Sequence, residues 1–367
     1  MTRTNEPGAK ECPFCGSLDT ELMALFGSQM LTSQYYCRNC HSAFEAVKWD
    51  DAKSRAENKL RGMKNKQMTM GEAIAEFVPD GSSVVMGAAL ESLIPFAAGH
   101  AIIRAGVRDL TLVGPISDTL FDQLIGAGCV KRVEAAWVGN VSAGLGHNYR
   151  RAVEEQIPAR LEVRDHSNFT ISLALLAGGL GSPYIPTYSL LGTDIPRTNP
   201  TFKVAESPFG GDKTLLIPAL RPDVAILHVQ RSDVEGNAHA WGNLGISEEA
   251  GLASQRIIIV AEEIVPREVI VSDPNRVLVP SFKVAAVVHE PGGAHPSPVQ
   301  GHYGRDHDFY HEYHRESRSL QGNKDWLGEW VFGVSDRAEY LKKLGEARWS
   351  SLQRKEHRYA APVDYGY

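Results

Sequence analysis

From residue 83 onward, short runs of consecutive apolar residues alternate with helical patterns. The runs fall at 84–86, 110–113, 133–138, 215–217, 224–228, 257–260 and 284–288, and helical spacing appears between several of them, at 95–104, 118–127 and 168–177. A strand that is apolar at successive positions has both faces buried, and helices between such strands cover those faces. The expected architecture is therefore α/β: one mostly parallel sheet flanked by helices. The region 178–211, rich in proline and glycine, breaks this rhythm and is read as extended loops over the sheet. Beyond Glu290 the chain runs through P-G-G-A-H-P and a His/Tyr-rich stretch, then into a helical tail around 326–344.

The first run sits in DGSSVVMGAALESLIP, residues 80–95, as the first strand and first turn of that domain. Gly87, Ala88 and Ala89 form a turn with almost no side chain, and Pro95 suits the opening of the following helix. Ligands of open parallel sheets sit beyond the carboxyl ends of the strands, where such a turn leaves backbone N–H groups free to meet a ligand oxygen. The same residues also suit a tight βα turn that needs small side chains only to pack. Spacing alone leaves both readings open.

Four of the five cysteines lie within residues 12–40, as C-P-F-C-G and Y-Y-C-R-N-C-H. Two C-x-x-C knuckles offer four thiolates to one tetrahedral Zn²⁺, so Cys12, Cys15, Cys37 and Cys40 are the expected metal ligands of a small N-terminal zinc ribbon. So short a segment buries little apolar surface, and zinc binding supplies roughly 10–16 kcal/mol of folding free energy. The aromatic residues Phe14, Tyr35, Tyr36 and Phe44 are expected to pack around the site. The ribbon is read as a structural or docking element, with Zn²⁺ as a structural cofactor. Cys129 stands alone and reads as a buried structural thiol.

Residues 52–66 carry Lys53, Arg55, Lys59, Arg61, Lys64 and Lys66 against the single acid Glu57, the pattern of a solvated basic linker. Thr69-Met70-Gly71-Glu72 is a capping box ahead of a short helix. A net charge of −6 gives no general reason to expect nucleic acid or an anionic membrane as partner. No apolar run reaches the ~18 residues of a membrane span, and the opening MTRTNEPGAKEC lacks a signal-peptide pattern, so a cytoplasmic location is expected.

Strand ends supply further candidates. Glu262 and Glu263 follow the run at 257–260, where a carboxylate can act as nucleophile or base, but equally can cap a helix. Asn140 and Ser142 follow the run ending at Val138, in N-V-S-A-G, and can orient a carboxylate or thioester. His307, His311 and His314 share a helical face without forming a helix-borne H-E-x-x-H site, and read as an aromatic-rich interface. No G-x-G-x-x-G follows the first strand, and neither a G-x-S-x-G elbow nor a Walker A loop is present.

Residues 80–95 resemble the first-subunit signature of family I coenzyme A transferases: D-G-x-x, three apolar residues, G-G-F, three variable residues, G-x-P. Asp80, Gly81, Val84, Val85, Met86, Gly87 and Pro95 match; Ala88 and Ala89 stand where Gly-Phe is usual, and Leu93 replaces the last glycine. The likeness continues through LIGAGCVKRV, ILHVQRSDVEGNAHAWG, IIIVAEEIV, PGGAHPSPVQGHY and EWVFGVSDRAEYLKKLG. Over about residues 68–355 the chain is similar to the A-type subunit of glutaconate CoA-transferase. The implied organisation is a zinc ribbon (1–50), a basic linker (51–68), an A-type CoA-transferase domain (69–355) of the CoA-transferase/NagB-like fold, and a C-terminal tail (356–367).

The resemblance implies an enzyme subunit that moves CoA between an acyl-CoA and a small or medium carboxylic acid by ping-pong. A glutamate carboxylate attacks the thioester, passes through a mixed anhydride and becomes a glutamyl-CoA thioester. In two-subunit members that glutamate belongs to the B-type subunit, so no catalytic nucleophile is expected in this chain and a B-type partner is. Its own contribution is then the substrate and CoA pocket wall: Gly87, Ala88, Ala89, Asn140, Ser142 and Ser167. A related group opens a ring of steroid-derived CoA thioesters by hydrolysis, and its catalytic glutamate aligns at or near Asn168, where an amide cannot serve as base. The alternatives are that hydrolase chemistry and, in another class, a zinc-ribbon scaffold or CoA-ligand-sensing protein without turnover.

Overall fold

The computed structural model describes residues 10–24, 32–47 and 65–354. The chain divides into two compact units, Met1–Lys64 and Asn65–Tyr367. Most of the basic linker, including Lys53, Arg55, Glu57, Lys59, Arg61 and Lys64, lies outside the described residues, as does the tail 356–367.

In the first unit, β1 (Thr20–Ala24), β2 (Thr32–Cys37) and β3 (Ala43–Val47) form an antiparallel sheet in that order. Each knuckle closes by the same hydrogen bond, Gly16 N–H to Cys12 O and His41 N–H to Cys37 O, both 2.9 Å. Gly16 and His41 both adopt positive φ there, +71° and +60°. Tyr35 stacks on Phe44 inside the unit, with ring centroids 5.8 Å apart. Phe14 departs from expectation: it is 68% exposed, because it occupies the tip of its knuckle rather than the sheet face.

The second unit is built on an eight-stranded sheet. Its seven parallel strands in chain order are β4 (Ser83–Val85), β5 (Leu110–Ile116), β6 (Val130–Trp137), β9 (Glu162–Asp165), β13 (Val224–Ser232), β15 (Arg256–Ile264) and β16 (Val284–His289). In space they run β16-β15-β13-β4-β5-β6-β9. β7 (Gly139–Asn140) and β8 (Gly144–Leu145) make a small hairpin beyond β6, and β14 (Ala238–His239) folds back antiparallel on β13. Residues 66–68 hydrogen-bond to Val287 and so cover the outer edge of β16.

Successive residues of the central strands enter opposite cores. Val84, Ile226, Ile258 and Val260 pack with the helices Met70–Phe77, Phe96–Ala105 and Asp118–Gly126. Val85, Ala225, Leu227, Ile257 and Ile259 pack with the helices Asn168–Leu180 and Ser247–Ala253. Burying each such branched side chain contributes roughly 1.5–3 kcal/mol, which is why the apolar runs are continuous rather than alternating. The helix starts follow local chemistry: Thr69 and Glu72 form the reciprocal capping box, and Pro95 stands at the N-cap of Phe96–Ala105.

Two expectations are corrected. The run at 215–217 is a strand, but it belongs to a separate antiparallel sheet of β10 (Tyr184–Thr187), β12 (Lys213–Pro218) and β11 (Lys203–Glu206). Only Leu215 and Ile217 of β12 are fully buried, so this strand has one covered face and alternates instead of running apolar. The region 178–211 accordingly holds β10, β11 and a helical turn, Ile195–Thr198, rather than loops alone. Proline at Pro186 and Pro196 obscured these short elements.

The small sheet is joined closely to the main unit at Gly178, where an added Cβ would lie 1.9 Å from Leu220 O. Backbone on that side cannot yield as a side chain does. Gly178→Ala is expected to lower stability by about 1–3 kcal/mol in urea unfolding monitored by far-UV circular dichroism. A change within ~0.5 kcal/mol would show that this approach is not tight.

Candidate active site

The chain leaves β4 outward through β5, β6 and β9, then returns to lay β13, β15 and β16 on the other side of β4. β4 pairs with β5 on one edge and β13 on the other, so the winding reverses there. In open parallel sheets the crevice at that reversal is where ligands bind, because adjoining crossovers leave in opposite directions. The carboxyl end of β4 delivers the Gly87-Ala88-Ala89 turn to this point.

Gly87 has φ +65°, and a Cβ there would meet Ser117 Oγ at 2.5 Å. Ser117 Oγ itself donates to Met86 O at 2.9 Å. On the other side, Ile246 N–H donates to Ala88 O at 2.8 Å, and a Cβ on Gly245 would fall 2.2 Å from the same oxygen. The turn is therefore clamped between two neighbouring segments, and packing does demand its small residues. Yet Gly87, Ala88 and Ala89 are buried residues whose N–H groups meet no acceptor among the described residues. Buried backbone donors are nearly always paired, so three successive unpaired ones mark a place where an acceptor is to be supplied.

The segment following β16 forms the floor. Leu93 N–H donates to Pro298 O at 3.0 Å, Ala97 N–H to Gly293 O at 2.9 Å, and Ser297 Oγ to Glu91 O at 2.9 Å. Tyr303 packs with Ala89 and Leu93. Its hydroxyl donates to Glu262 Oε1 at 2.5 Å, which also faces His228 Nε2 at 2.7 Å, while Glu262 Oε2 accepts from Gly292 N–H at 2.8 Å. An ionised carboxylate only accepts, so the proton of His228 sits on Nε2. Its Nδ1 is buried without a partner among the described residues. Burial pulls the Glu262 carboxyl up, but these donors outweigh it and hold the group below the usual carboxylate range. Burial, then the Glu262 charge, pushes Tyr303 far above the usual phenol range, so it remains a donor. With both oxygens engaged, Glu262 organises the floor and is not presented as a nucleophile. Glu263 points outward and is exposed, with His302 Nε2 3.9 Å away.

The rim beyond β5 and β6 places Asn140 and Ser142 differently. Asn140 is buried: Oδ1 accepts from the N–H groups of Ser142 and Ala143, and Nδ2 donates to Tyr310 O at 2.7 Å, so it shapes the loop. Ser142 Oγ lies on the surface within 3.2 Å of His307 Nδ1, and Arg305 Nε donates to it at 3.1 Å. Arg305 also pairs with the fully buried Asp118 and lies 3.9 Å over the Tyr310 ring, with its Nη1 buried and unpartnered among the described residues. Burial pushes the Asp118 carboxyl up against the opposing pull of Arg305. Asp118 holds φ +46° at the carboxyl end of β5, a strained conformation of the kind found at functional sites. Ser167 caps the helix Asn168–Leu180, accepting from Thr170 N–H at 3.1 Å, and its contacts stay within that cap. Asn168 is exposed at the first turn of the same helix.

Asp118, Arg305 and Tyr303 were not singled out from sequence. Asp118 and Arg305 are far apart in the chain, and the only local hint, a polar residue just past a strand, is shared by many positions. Of the histidines, His314 stacks on His147 at 4.6 Å, and His311 is exposed. Cys129 is buried in the main core.

The four thiols of the first unit lie within 4.8 Å of one another, with Cys12 Sγ to Cys40 Sγ at 3.5 Å and Cys15 Sγ to Cys37 Sγ at 3.6 Å. Tetrahedral Zn–S bonds of about 2.3 Å require sulfur separations of about 3.8 Å, so the set fits zinc. Asn39 Nδ2 contacts Cys15 Sγ at 3.6 Å and, with the Ser17 backbone, brings that thiol down to about 6, favouring the thiolate a metal needs.

A doubly wound sheet whose switch-point turn carries backbone donors without an acceptor among the described residues defines the class: an open α/β protein. The Coenzyme A transferase family matches residues 67–290, and the chain belongs to that family. Residues 1–48 match the PaaD zinc beta ribbon domain. The chain is 38% identical over 281 residues to the A-type subunit of the 3-oxoadipate CoA-transferase of Pseudomonas knackmussii, covering 77% of this chain and 99% of that one. It is 28% identical to the cholesterol ring-cleaving hydrolase IpdA subunit of Mycobacterium tuberculosis, over 78% of this chain and 100% of that one. The crystal structure of glutaconate coenzyme A-transferase from Acidaminococcus fermentans matches with a TM-score of 0.74 at 31% identity, over 79% of this chain and 96% of that one. Among the described residues, no helix is long and apolar enough to cross a membrane.

Glu262 gives a test of the floor. Glutamine in its place would turn an amide donor toward donors, and Glu262→Gln is expected to cost about 1–3 kcal/mol of stability at pH 7–8. A carboxyl held below its usual range stabilises above that range and loses this contribution as pH falls through the folded value. The difference between wild type and variant in urea unfolding should therefore narrow below about pH 4. A gap that persists unchanged at low pH would contradict an ionised Glu262.

Proposed function

We propose that the chain is the A-type subunit of a heteromeric CoA-transferase that moves CoA between an acyl-CoA and a small carboxylic acid. The nucleophilic glutamate comes from a B-type partner. The observation that carries this reading is at the switch point: among the described residues, three backbone donors on the Gly87-Ala88-Ala89 turn lack an acceptor, and the nearby buried carboxylate, Glu262, has both oxygens engaged. Attack of a carboxylate on a thioester or anhydride carbonyl puts negative charge on that oxygen. The turn's N–H groups, fixed by Ser117 and Ile246, stabilise it without reorganising during the step. Carboxylates are weak nucleophiles in water, so a buried turn and a fixed donor set lower the barrier where solvent cannot.

Asn140 holds the rim loop in place, Ser142 with Arg305 meets the acyl or acid group at the mouth, and Ser167 fixes the start of the helix behind the turn. The name of the Pseudomonas relative makes oxo-dicarboxylic acids the first acceptors to try. In the ribbon, Zn²⁺ on Cys12, Cys15, Cys37 and Cys40 supplies the folding free energy that its small core does not.

The test is intact-protein mass spectrometry on the chain purified with whatever co-purifies, before and after acyl-CoA is added. A CoA-sized adduct on a second polypeptide, discharged by free acid, is the expected result. Addition of water to a cyclic acyl-CoA with no adduct would replace this reading with ring-opening hydrolysis, to which Asn168 is unsuited. Neither outcome with the partner present would leave a scaffold or a ligand-sensing protein. For the ribbon, plasma mass spectrometry is expected to find about one zinc per chain, falling at least tenfold in Cys37→Ser. Equal zinc in the variant would rule out the four-thiolate site.

A further inference from the structure

A cavity of about 540 Å³ opens between the helix Phe96–Ala105, the start of the helix Met70–Phe77, the carboxyl end of β16 and the start of the helix Arg337–Leu344. That volume falls in the range of small-molecule sites. Its polar lining includes His100, Arg104, Glu290, Asp336 and Arg337.

Arg337 is 5% exposed. Its Nε donates to Gly292 O at 2.7 Å, its Nη2 to His295 O at 2.5 Å, and the guanidinium lies 3.8 Å over the Tyr340 ring. Its Nη1 is buried with no partner among the described residues. Arg104 Nη1 donates to Val331 O at 3.2 Å. The hydrogen bonds of both guanidiniums thus go to backbone carbonyls, and neither forms an ion pair among the described residues, although two acids share the cavity. Asp336 is committed elsewhere: its Oδ1 caps the helix Arg337–Leu344 through Glu339 N–H at 2.8 Å. Glu290 lines the same cavity without an ion pair to either arginine among the described residues, and burial pushes its carboxyl up against their opposing pull. Burying a cation without an ion partner is expensive, and planar guanidiniums are suited to oxyanions.

We infer that this cavity binds a small oxyanion, a carboxylate or a phosphate, between Arg104 and Arg337. The site has a structural connection to the switch-point turn. The Gly292 whose carbonyl Arg337 holds also donates its N–H to Glu262, and Gly293 O accepts from Ala97 N–H just past Leu93. An anion that fixes Arg337 therefore fixes the segment on which the turn rests.

The test is isothermal titration calorimetry of the full chain, with any co-purifying partner, against inorganic phosphate and against succinate in a low-chloride buffer. Saturable binding of at least one probe is expected, weakened tenfold or more in Arg104→Gln, a partly exposed position, with the variant's fold checked by far-UV circular dichroism. Phosphate without succinate would assign a phosphate ligand, and the reverse a carboxylate. A second readout avoids variants: the bound probe should protect Arg104 from phenylglyoxal labelling, read by peptide mass, while exposed Arg150 stays reactive. No saturable binding of either probe up to about 10 mM, the weak end of specific small-ligand affinity, would overturn the proposal. So would undiminished binding in Arg104→Gln or unchanged labelling of Arg104.

Discussion

Parallel strands buried on both faces impose the geometry on which everything else here depends. Each strand must be followed by a crossover long enough to return to the starting edge, so every strand presents its carboxyl end on the same side. Seven such strands wound in two directions from β4 bring segments from residues 86–94, 117–118, 139–142 and 290–305, and the end of β15, to one edge of the sheet. A catalytic surface can then be assembled from segments hundreds of residues apart without any of them leaving the fold.

The turn after β4 shows how packing and chemistry coexist at one position. Ser117 presses on Gly87 and Gly245 lies against Ala88 O, so a side chain at either glycine would have to displace a neighbour. That pressure also keeps the turn's N–H groups in place and away from protein acceptors. Tight packing of Gly87, Ala88 and Ala89 is therefore compatible with the proposed role of their N–H groups. A turn that is tightly held and incompletely hydrogen-bonded is what electrostatic stabilisation of a developing oxyanion requires.

Charge along the same edge is handled in three ways. Glu262 is held ionised by three donors and organises the floor. Asp118 and Arg305 form a largely buried ion pair, with Arg305 Nη1 unpartnered among the described residues. Arg104 and Arg337 carry charge into a separate cavity, where their hydrogen bonds go to carbonyl oxygens and neither forms an ion pair among the described residues. Desolvation makes each arrangement costly to leave incomplete, which is why buried polar groups with missing partners point to sites.

The continuous apolar runs at 84–86, 224–228 and 257–260 were readable because burial on both faces removes the alternation that disguises a strand, and the two C-x-x-C knuckles because thiolate ligands must come in close pairs. The strands at 184–187 and 203–206 were hidden: they are short, half exposed, and in the first case interrupted by proline. Glu262 was visible as a strand-end acid, but its three partners, His228, Tyr303 and Gly292, were not, since nothing in a linear chain says which distant donors will converge. The sequence by itself determined the layered α/β architecture, the ribbon's ligand set and the small-residue turn, because these rest on local periodicity and spacing. Only tertiary structure decided which acid is spent on the floor, which arginines lack a counter-charge and which backbone donors are left unpaired, because hydrogen-bond completion depends on the whole surroundings of a group.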